Sequence, residues 1–344
     1  MTGFPIFDGH NDLLSCLWHE RDLNGDGFFS GRDGDIDLPK CRAGGFAGGL
    51  FAVWVGNDSA HAPDPKAVFR EFRAVDSDRA YRETMAQVAI LHRMTARHPD
   101  AIRLCRSGEE IAAARNAGAI AAVLHIEGCE GIDPDFNALQ VYHAAGLRSI
   151  GPVWSRPNIF GFGVPFNFPA SPDIGPGLTD AGLRLVQECG RLGIAVDLSH
   201  LNEAGFWDVA RISAKPLLAT HSNAHAITAS TRNLTDRQLD AIAASGGLVG
   251  LNFGCAFLRP DGIKRPDTPA ADLLRHLDHL IGKLGETGVA LGSDFDGTMI
   301  PDFIQDASGL QALTAAMQSA GYGDALIRKI CWSNWQDLLT RTIG

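Results

Sequence analysis

Residues 120–127 read Ile-Ala-Ala-Val-Leu-His-Ile-Glu, an apolar run that ends in a histidine and a glutamate. Consecutive apolar residues are typical of a strand buried on both faces, as in a parallel sheet covered by helices. Seven further runs rich in Val, Ile, Leu, Phe and Ala occur along the chain, at 5–10, 49–55, 149–154, 194–200, 216–221, 247–253 and 289–294. The sequence therefore predicts eight buried strands.

Segments with helical periodicity separate most of these strands. They lie at 78–97, 108–117, 135–145, 179–192, 202–212, 235–244 and 269–284, and two more, 307–319 and 323–341, follow the last strand. Eight strands alternating with helices indicate an α/β protein, a (β/α)8 TIM barrel formed as a single domain by residues 1–344. A doubly wound open sheet is the alternative, but no Gly-x-Gly-x-x-Gly motif follows any predicted strand.

Two segments interrupt the alternation. Residues 20–48 are polar and rich in glycine, and residues 155–177 are rich in Phe, Pro and Gly. Long loops in a compact domain usually act as lids or binding loops. We therefore expect both segments to contribute to function, and Phe160, Phe162, Phe166 and Phe168 to form an apolar wall over a substrate; the alternative is a loop packed against a neighbouring subunit.

Composition excludes several classes of protein. The net charge of −10, without a basic run, argues against nucleic acid as a partner. No apolar stretch reaches the ~18 residues of a membrane span, and the N-terminus lacks the features of a signal peptide, so we expect no membrane attachment. The seven cysteines include no Cys-x-x-Cys pair. This pattern favours a cytoplasmic, reducing location and argues against a thiolate zinc site.

Metal-binding residue types fall at the ends of five predicted strands. The residues that end these strands include His10 and Asp12, His125 and Glu127, His200, His221, and Asp294 and Asp296. In a barrel the carboxyl ends of the strands converge on one face, where active sites are built. The sequence therefore predicts a functional site from these side chains.

The predicted site suits two metal ions. His10 and Asp12, two positions apart, can share one cation, and Glu127 can bridge two cations through its two oxygens. His200 and His221 can complete the second site. Two divalent ions about 3.5–4 Å apart with a bridging hydroxide form a hydrolytic centre. Nitrogen and oxygen ligands suit Zn²⁺, with Mn²⁺ or Co²⁺ as possible substitutes.

Each ligand also has a structural interpretation. A lone strand-end histidine is more often a hydrogen-bonded structural residue, Asp12 could cap a helix, and Glu127 could pair with an arginine. Five such residues at consistent strand ends favour the metal interpretation. His125 should face the barrel interior one layer lower and contact a ligand. Other histidines are interpreted as surface or structural residues: His19, His61, His92, His98, His143, His276 and His279.

The strand-end motifs together resemble the membrane (renal-type) dipeptidases, peptidase family M19 of the amidohydrolase superfamily. The resemblance runs from residue 6 to about residue 340 and is carried by Asp-Gly-His-Asn-Asp at 8–12, His-Ile-Glu-Gly at 125–128, Val-Asp-Leu-Ser-His at 196–200, Ala-Thr-His-Ser at 219–222, Thr-Arg-Asn at 231–233 and Gly-Ser-Asp-Phe-Asp-Gly at 292–297. It implies a (β/α)8 barrel with two zinc ions that cleaves dipeptides, often with a D-residue at the C-terminal position. A homodimer is also implied.

The resemblance assigns roles to individual residues. It implies that His10 and Asp12 bind one zinc, that Glu127 bridges, and that His200 and His221 bind the other. It also implies that Arg232 grips the substrate carboxylate, a task for which a planar guanidinium is suited. Asp294 would move a proton from the bridging water to the leaving amine. Asp296 competes for this role, because strand alternation does not separate the two aspartates.

One position departs from the family pattern. Family members that act on dipeptides commonly have a histidine at the end of the fourth predicted strand, where this chain has Trp154. An indole N–H can donate one hydrogen bond to the substrate carbonyl but cannot carry a charge. Asn158 or a metal could replace this function, or Trp154 could be a packing residue. The departure leaves open another substrate, such as a different amide, an N-acyl amino acid or a lactone.

Weaker signals have less support. The spacing of acidic residues from Asp22 to Asp33 is similar to a calcium loop, but position twelve is not Glu, and a solvated acidic loop is the favoured interpretation. A barrel that binds metal without catalysis is a further alternative. No Gly-x-Ser-x-Gly, Walker A or His-Glu-x-x-His motif is present, which argues against serine hydrolases, nucleotide-binding proteins and single-zinc proteases.

Overall fold

The computed structural model describes residues 3–57 and 72–344. Within these ranges nine strands form one parallel sheet. They are numbered β1 to β9 in chain order: Ile6–Asn11, Phe46–Trp54, Ile102–Leu104, Ile120–Glu127, Leu147–Gly151, Ala195–Val196, Leu218–Ala219, Leu248–Leu251 and Val289–Leu291.

Eight of the strands curl into a nearly closed barrel, which confirms the predicted fold class. Their order is β6-β5-β4-β2-β1-β9-β8-β7, and a parallel bridge between Asp197 and Leu218 joins the two ends. Strand β3, which the sequence analysis missed, pairs only with the first three residues of β4 among the described residues. Its three residues offer too short an apolar run to be distinguished from a loop.

Fourteen α-helices lie within the described residues. Numbered α1 to α14 in chain order, they are Leu13–His19, Asp26–Ser30, Leu38–Gly44, Ser77–Arg97, Gly108–Asn116, Asn137–Ala144, Asp180–Leu192, Glu203–Ile212, Asp236–Ala244, Cys255–Leu258, Ala270–Leu284, Leu310–Ser319, Asp324–Arg328 and Asn334–Ile343. No helix in these ranges is long and apolar enough to cross a membrane.

The N-termini of several helices follow from local sequence. The side chains of Thr179, Asn202 and Thr235 each accept a hydrogen bond from the first turn of the following helix. Thr235 and Gln238 form a complete capping box, which satisfies two otherwise unpaired backbone donors. These three residues stand at the first positions of the predicted helices 179–192, 202–212 and 235–244, which correspond to α7, α8 and α9.

Other boundaries differ from the predictions. The segment 20–48, expected as a long loop, contains α2 and α3 and the start of β2. The predicted helix at 323–341 is divided into α13, a π-helical turn at Lys329–Ser333, and α14. The predicted strands 194–200 and 216–221 each pair over only two residues among those described, because the chain then turns away from the sheet.

Helix α14 closes one end of the barrel. Trp335 donates from its indole N–H to the carbonyl of Leu291 in β9, and its ring lies 5.9 Å from the ring of Phe7 in β1. A β-carbon at Gly9 would lie 2.4 Å from the Trp335 ring and 2.3 Å from the Thr220 carbonyl. Only glycine therefore fits at this point of the Asp-Gly-His motif, and the packed end leaves the carboxyl ends of the strands as the open face.

Candidate metal centre

The five predicted metal ligands meet at the carboxyl ends of the strands. His10 belongs to β1 and Asp12 follows it, Glu127 ends β4, and His200 and His221 follow β6 and β7. All five side chains are almost completely buried. The structure therefore brings together side chains that lie more than 200 residues apart in sequence.

Two sets of three ligand atoms share Glu127. His10, Asp12 and Glu127 form one set, and Glu127, His200 and His221 form the other; the ligand atoms of each set lie within 4.8 Å of one another. Glu127 Oε1 is 2.8 Å from His200 Nε2 and 3.3 Å from His221 Nε2. It is also 3.6 Å from His10 Nε2, which lies 3.5 Å from Asp12 Oδ2. A third possible set consists of His10, His221 and Asp294.

The electrostatics of the cluster favour bound cations. Burial opposes charge on the His10 ring, but the carboxylates of Glu127, Asp12 and Asp294 outweigh burial and raise the pKa of His10 to about 10. Burial raises the pKa of Glu127 well above its usual value, since it disfavours a carboxylate without a compensating positive charge. Burial lowers the pKa of His200 and of His221 well below the usual value. These two imidazoles are therefore neutral, which is the form that binds metals.

Unpaired polar atoms also indicate that the residues fit metal ions. Both ring nitrogens of His10 and Asp12 Oδ1 are buried and have no hydrogen-bond partner among the described residues. Asp12 precedes α1, but its side chain makes no capping hydrogen bond. Among the described residues, the Glu127 carboxylate lies within 4 Å of histidine nitrogens and of no arginine nitrogen. The structure thus supports neither of the structural interpretations, and an oxygen and nitrogen donor set suits a divalent cation.

Two hydroxyl groups hold the histidines and were missed by the sequence analysis. Ser155 Oγ lies 2.8 Å from His200 Nδ1, and Thr220 Oγ1 lies 2.8 Å from His221 Nδ1. Each contact occupies Nδ1 and directs Nε2 towards Glu127. Partners of this kind fix the tautomer and orientation of a metal-binding imidazole. The sequence offered one signal for these partners, since Thr220 directly precedes the predicted ligand His221.

Tertiary contacts distinguish Asp294 from Asp296, the two candidates for proton transfer. Asp294 Oδ2 accepts a hydrogen bond from Asn252 Nδ2 at 2.9 Å, and no side-chain hydrogen bond from another described residue occupies Oδ1. Asp296 is held by Arg32 Nη1 at 2.5 Å and by the backbone N–H of Asp35 at 2.7 Å. Burial raises the pKa of Asp294, with the nearby Asp12 carboxylate adding to the effect. Asp294 is thus the aspartate with a free oxygen beside the ligands.

A cavity of about 610 Å³ opens above the ligands and contains Arg232 in its wall. The guanidinium is almost fully buried and donates from Nη2 to the His221 carbonyl at 3.1 Å and from Nη1 to the Ser199 carbonyl. Its Nε has no hydrogen-bond partner among the described residues. The side chain is therefore fixed by the two strand ends and retains donor capacity.

Aromatic side chains form another part of the cavity wall. Trp154 and Phe166 line the cavity, and their rings lie 5.8 Å and 6.4 Å from the His200 ring. Phe168 also lines it, whereas Phe160 is buried in the core. Segment 155–177 thus supplies only part of the expected aromatic wall.

Trp154 and Asn158 differ in their positions. Trp154 follows β5 and its indole N–H makes no hydrogen bond within residues 3–57 and 72–344. Asn158 is not among the described residues that line the cavity. Its amide donates to the Pro152 carbonyl at 2.9 Å and accepts from the Phe160 N–H at 2.8 Å, so it holds the loop.

The remaining sequence signals lie outside the centre. His125 is buried with its ring 5.5 Å from the His10 ring, and its Nδ1 lies 2.9 Å from Ser149 Oγ. Asp22 accepts hydrogen bonds from two backbone N–H groups at the start of α2. Among the described residues, the segment from Asp22 to Asp33 contributes to no cluster of three metal-binding groups. His61 lies outside the described residues.

The chain is similar to known metallo peptidases over nearly its whole length. The family model for the membrane dipeptidases, peptidase family M19, matches residues 1–342. A metallo peptidase from Rhodobacter sphaeroides, solved with a phosphinate mimic of the dipeptide L-Ala-D-Ala, is 47% identical and superimposes with a TM-score of 0.93 over 99% of both chains. Dipeptidase AC, a metallo peptidase of family M19, is 48% identical, with a TM-score of 0.95 over 99% of both chains.

A bacterial relative extends the similarity. The "uncharacterized protein in pqqA 5′ region" of Klebsiella pneumoniae is 49% identical over 253 residues, which cover 74% of this chain and 93% of the relative. The family match over nearly the whole chain and the clusters of side chains that could hold a metal ion lead to the same conclusion. The chain belongs to the membrane dipeptidase family, peptidase family M19, and is a metallo-dipeptidase.

Proposed function

We propose that this protein is a zinc dipeptidase that binds two Zn²⁺ ions per chain and hydrolyses dipeptides, including those with a D-residue at the C-terminal position. The observation that carries the proposal is the pair of ligand sets that share Glu127 at the base of a cavity. A relative that is 47% identical was solved with a mimic of L-Ala-D-Ala, which supports this substrate class. Residues 1–344 would form one domain, and the active protein would be a homodimer.

In this proposal the ligands divide as their geometry suggests. His10 and Asp12 would hold one ion, His200 and His221 would hold the other, and Glu127 would be shared by the two sets. When bound, two zinc ions supply polarisation of the scissile carbonyl and activation of a water molecule near neutral pH. The neutral state of His200 and His221 favours this assignment, since only an unprotonated ring nitrogen binds metal.

Arg232 would orient the substrate through its free carboxylate. The guanidinium is held by the carbonyl groups that follow β6 and β7, so its distance from His221 is fixed by backbone contacts. Its unpaired Nε donor remains for an anionic group. A carboxylate bound there places a dipeptide in the cavity with its peptide bond towards the metal ligands.

Asp294 would handle the proton. Its Oδ2 is oriented by Asn252, and Oδ1 is free beside the ligand atoms. Because burial raises its pKa, the Asp294 carboxylate would accept a proton from the attacking water and would then pass this proton to the leaving amine. Asp296 is excluded from this role in the proposal, because Arg32 and the Asp35 N–H occupy its oxygens.

Trp154 would donate its indole N–H to the substrate carbonyl. It lines the cavity, lies beside His200, and has no intramolecular partner for its N–H among the described residues. A neutral donor stabilises a developing oxyanion less than a protonated histidine does. Asn158, whose amide is used within the loop, would position this segment rather than contact the substrate.

The test is a panel of L-L and L-D dipeptides with zinc-reconstituted enzyme and an Asp294→Asn variant. We expect the wild-type protein to cleave dipeptides and the variant to lose at least 10²-fold in turnover. The variant keeps an amide oxygen that can accept from Asn252, but it has no carboxylate to accept the proton. Zinc content near two per chain should accompany activity. Bound zinc without cleavage of any dipeptide would contradict the proposed substrate class.

The alternative is hydrolysis of another amide, an N-acyl amino acid or a lactone, and Trp154 at the position of the family's histidine favours it. Arg232 discriminates between the two. If the substrate is a dipeptide, Arg232→Met should raise KM for peptides with a free carboxylate and leave amidated analogues unaffected. Equal effects on both kinds of substrate would favour the alternative.

A further inference from the structure

The barrel is least paired between β6 and β7, next to two proposed metal ligands. These two-residue strands pair with β5 and β8 but, among the described residues, meet each other only at the bridge between Asp197 and Leu218. His200 and His221 lie just beyond this seam. Their relative position therefore depends on something other than a long ladder of backbone hydrogen bonds.

The Asp197 carboxylate closes the seam. Its Oδ1 accepts from the backbone N–H groups of Ser199 at 3.0 Å and Thr220 at 2.8 Å, and from the Ser199 hydroxyl at 2.6 Å. Its Oδ2 accepts from the Thr220 hydroxyl at 2.7 Å. The residue is 2% exposed. One side chain thus joins the segments that carry His200 and His221 and takes the place of strand pairing.

The hydrogen bonds also have a direction. The Thr220 hydroxyl has a single hydrogen, and it donates this hydrogen to Asp197 Oδ2. The hydroxyl oxygen then accepts from His221 Nδ1, 2.8 Å away. His221 consequently carries its hydrogen on Nδ1, and the lone pair of Nε2 faces Glu127 Oε1 at 3.3 Å.

We propose that Asp197 is a positioning residue that acts through Thr220 to fix His221 as the Nδ1–H tautomer and to hold His221 beside His200. This inference rests on the proposed role of His221 as a metal ligand. Partners that orient a metal-binding histidine typically change metal affinity 10–100-fold when they are removed. Among the described residues, Asp197 belongs neither to the cavity lining nor to a set of candidate metal ligands, so it acts through Thr220.

An Asp197→Asn variant reverses the direction of the hydrogen bonds that run from His221 through Thr220 to residue 197. If the amide nitrogen replaces Oδ1, it faces the Ser199 and Thr220 N–H groups, which are donors, so this orientation is disfavoured. If the nitrogen replaces Oδ2, it donates to Thr220 Oγ1, and the Thr220 hydrogen turns to His221 Nδ1. The imidazole hydrogen then moves to Nε2, the atom that would bind the metal.

The test measures Zn²⁺ affinity by competition with a chelator, in the wild-type protein and in Asp197→Asn, Thr220→Val and Thr220→Ser. We expect one of two zinc ions to bind 10–100-fold more weakly in Asp197→Asn and Thr220→Val, and near-wild-type affinity in Thr220→Ser, which keeps the hydroxyl. Thr314→Val, which removes another buried hydroxyl bonded within α12, is the matched control and should leave zinc affinity unchanged.

Thermal unfolding of the metal-free proteins separates positioning from folding. A purely structural role would lower the melting temperature and leave zinc affinity unchanged, which would overturn the inference. If Asp197→Asn does not fold, the comparison of Thr220→Val with Thr220→Ser decides the question. If the wild-type protein binds zinc and cleaves dipeptides, and the variants bind zinc equally well, this inference is overturned but the proposed function is not. No zinc binding by the wild-type protein would overturn the proposed function as well.

Discussion

Gly297→Ala is a steric test of the metal centre that adds no polar group. Gly297 lies in the turn after β9, where its N–H donates to the Asp294 carbonyl at 3.1 Å. A β-carbon at this position would lie 2.1 Å from Asp12 Oδ2 and 2.6 Å from Asp294 Oδ1, whereas real β-carbons essentially never approach closer than 3.0 Å. The Asp12 oxygen must therefore retreat by about 0.9 Å, and the Asp294 oxygen by about 0.4 Å.

These displacements can be converted into an expected loss of zinc affinity and of catalytic rate. Metal–ligand distances tolerate changes of about 0.2 Å, so a shift of Asp12 several times larger should weaken zinc at the His10 and Asp12 set at least ~10-fold. Misplacement of a reacting group by about 1 Å can cost roughly 10²-fold in rate, or about 2.7 kcal/mol of transition-state stabilisation. We expect a loss of about 10²-fold in kcat/KM.

The assay combines dipeptide turnover, zinc competition and thermal unfolding. Gly190→Ala is the matched control, because Gly190 is exposed within α7 and a β-carbon there would meet no atom within 4 Å. This control should keep full activity and gain about 0.5–1 kcal/mol of stability from the better helix former. Wild-type zinc affinity and kcat/KM in Gly297→Ala would refute the reasoning, and so would a loss explained entirely by instability of the metal-free protein.

Two further predictions concern stability. Arg32→Met removes one partner of a buried ion pair and leaves Asp296 without its cation, so unfolding in urea should show a loss of about 3 kcal/mol; a loss below ~1 kcal/mol, typical of exposed pairs, would contradict this. Burial lowers the pKa of His276 from 6.5 to about 4, and its ring accepts from the Ala224 N–H and bonds the Leu258 carbonyl. The unfolded chain therefore binds the proton first, and stability should decline by about 3 kcal/mol as the pH falls from ~6.5 to 4. His276→Asn should reduce this pH dependence of the unfolding free energy, and an unchanged pH profile would count against the assignment.

Several features of the site could be predicted because they are local. An apolar run followed by His or a carboxylate marks the end of a buried strand, and this pattern identified the segments carrying Glu127, His200 and His221. The prediction needed only strand burial and the rule that barrel strands end on one face. The same reasoning overestimated the lengths of β6 and β7, because the chain turns away from the sheet after two residues, where side-chain bonds between Asp197 and Thr220 join the two segments.

Other features could not be predicted because they depend on partners far along the chain. Alternation along a strand could not separate Asp294 from Asp296, since both have the same parity. Arg32, 264 residues from Asp296, and Asn252, 42 residues from Asp294, make the distinction. The role of Asn158 likewise depends on loop contacts with Pro152 and Phe160 that a spacing argument does not contain.

The sequence by itself determined the fold class, the family and the types of ligand available, because these follow from short-range patterns and their order. Only the tertiary structure decided which oxygen of which aspartate is free, which nitrogen of His221 faces Glu127, and which donors Arg232 retains. Each of these depends on distances of a few ångströms between segments joined only by closure of the barrel. Side-chain chemistry is encoded residue by residue, whereas protonation, tautomer and orientation are set by neighbours that folding supplies.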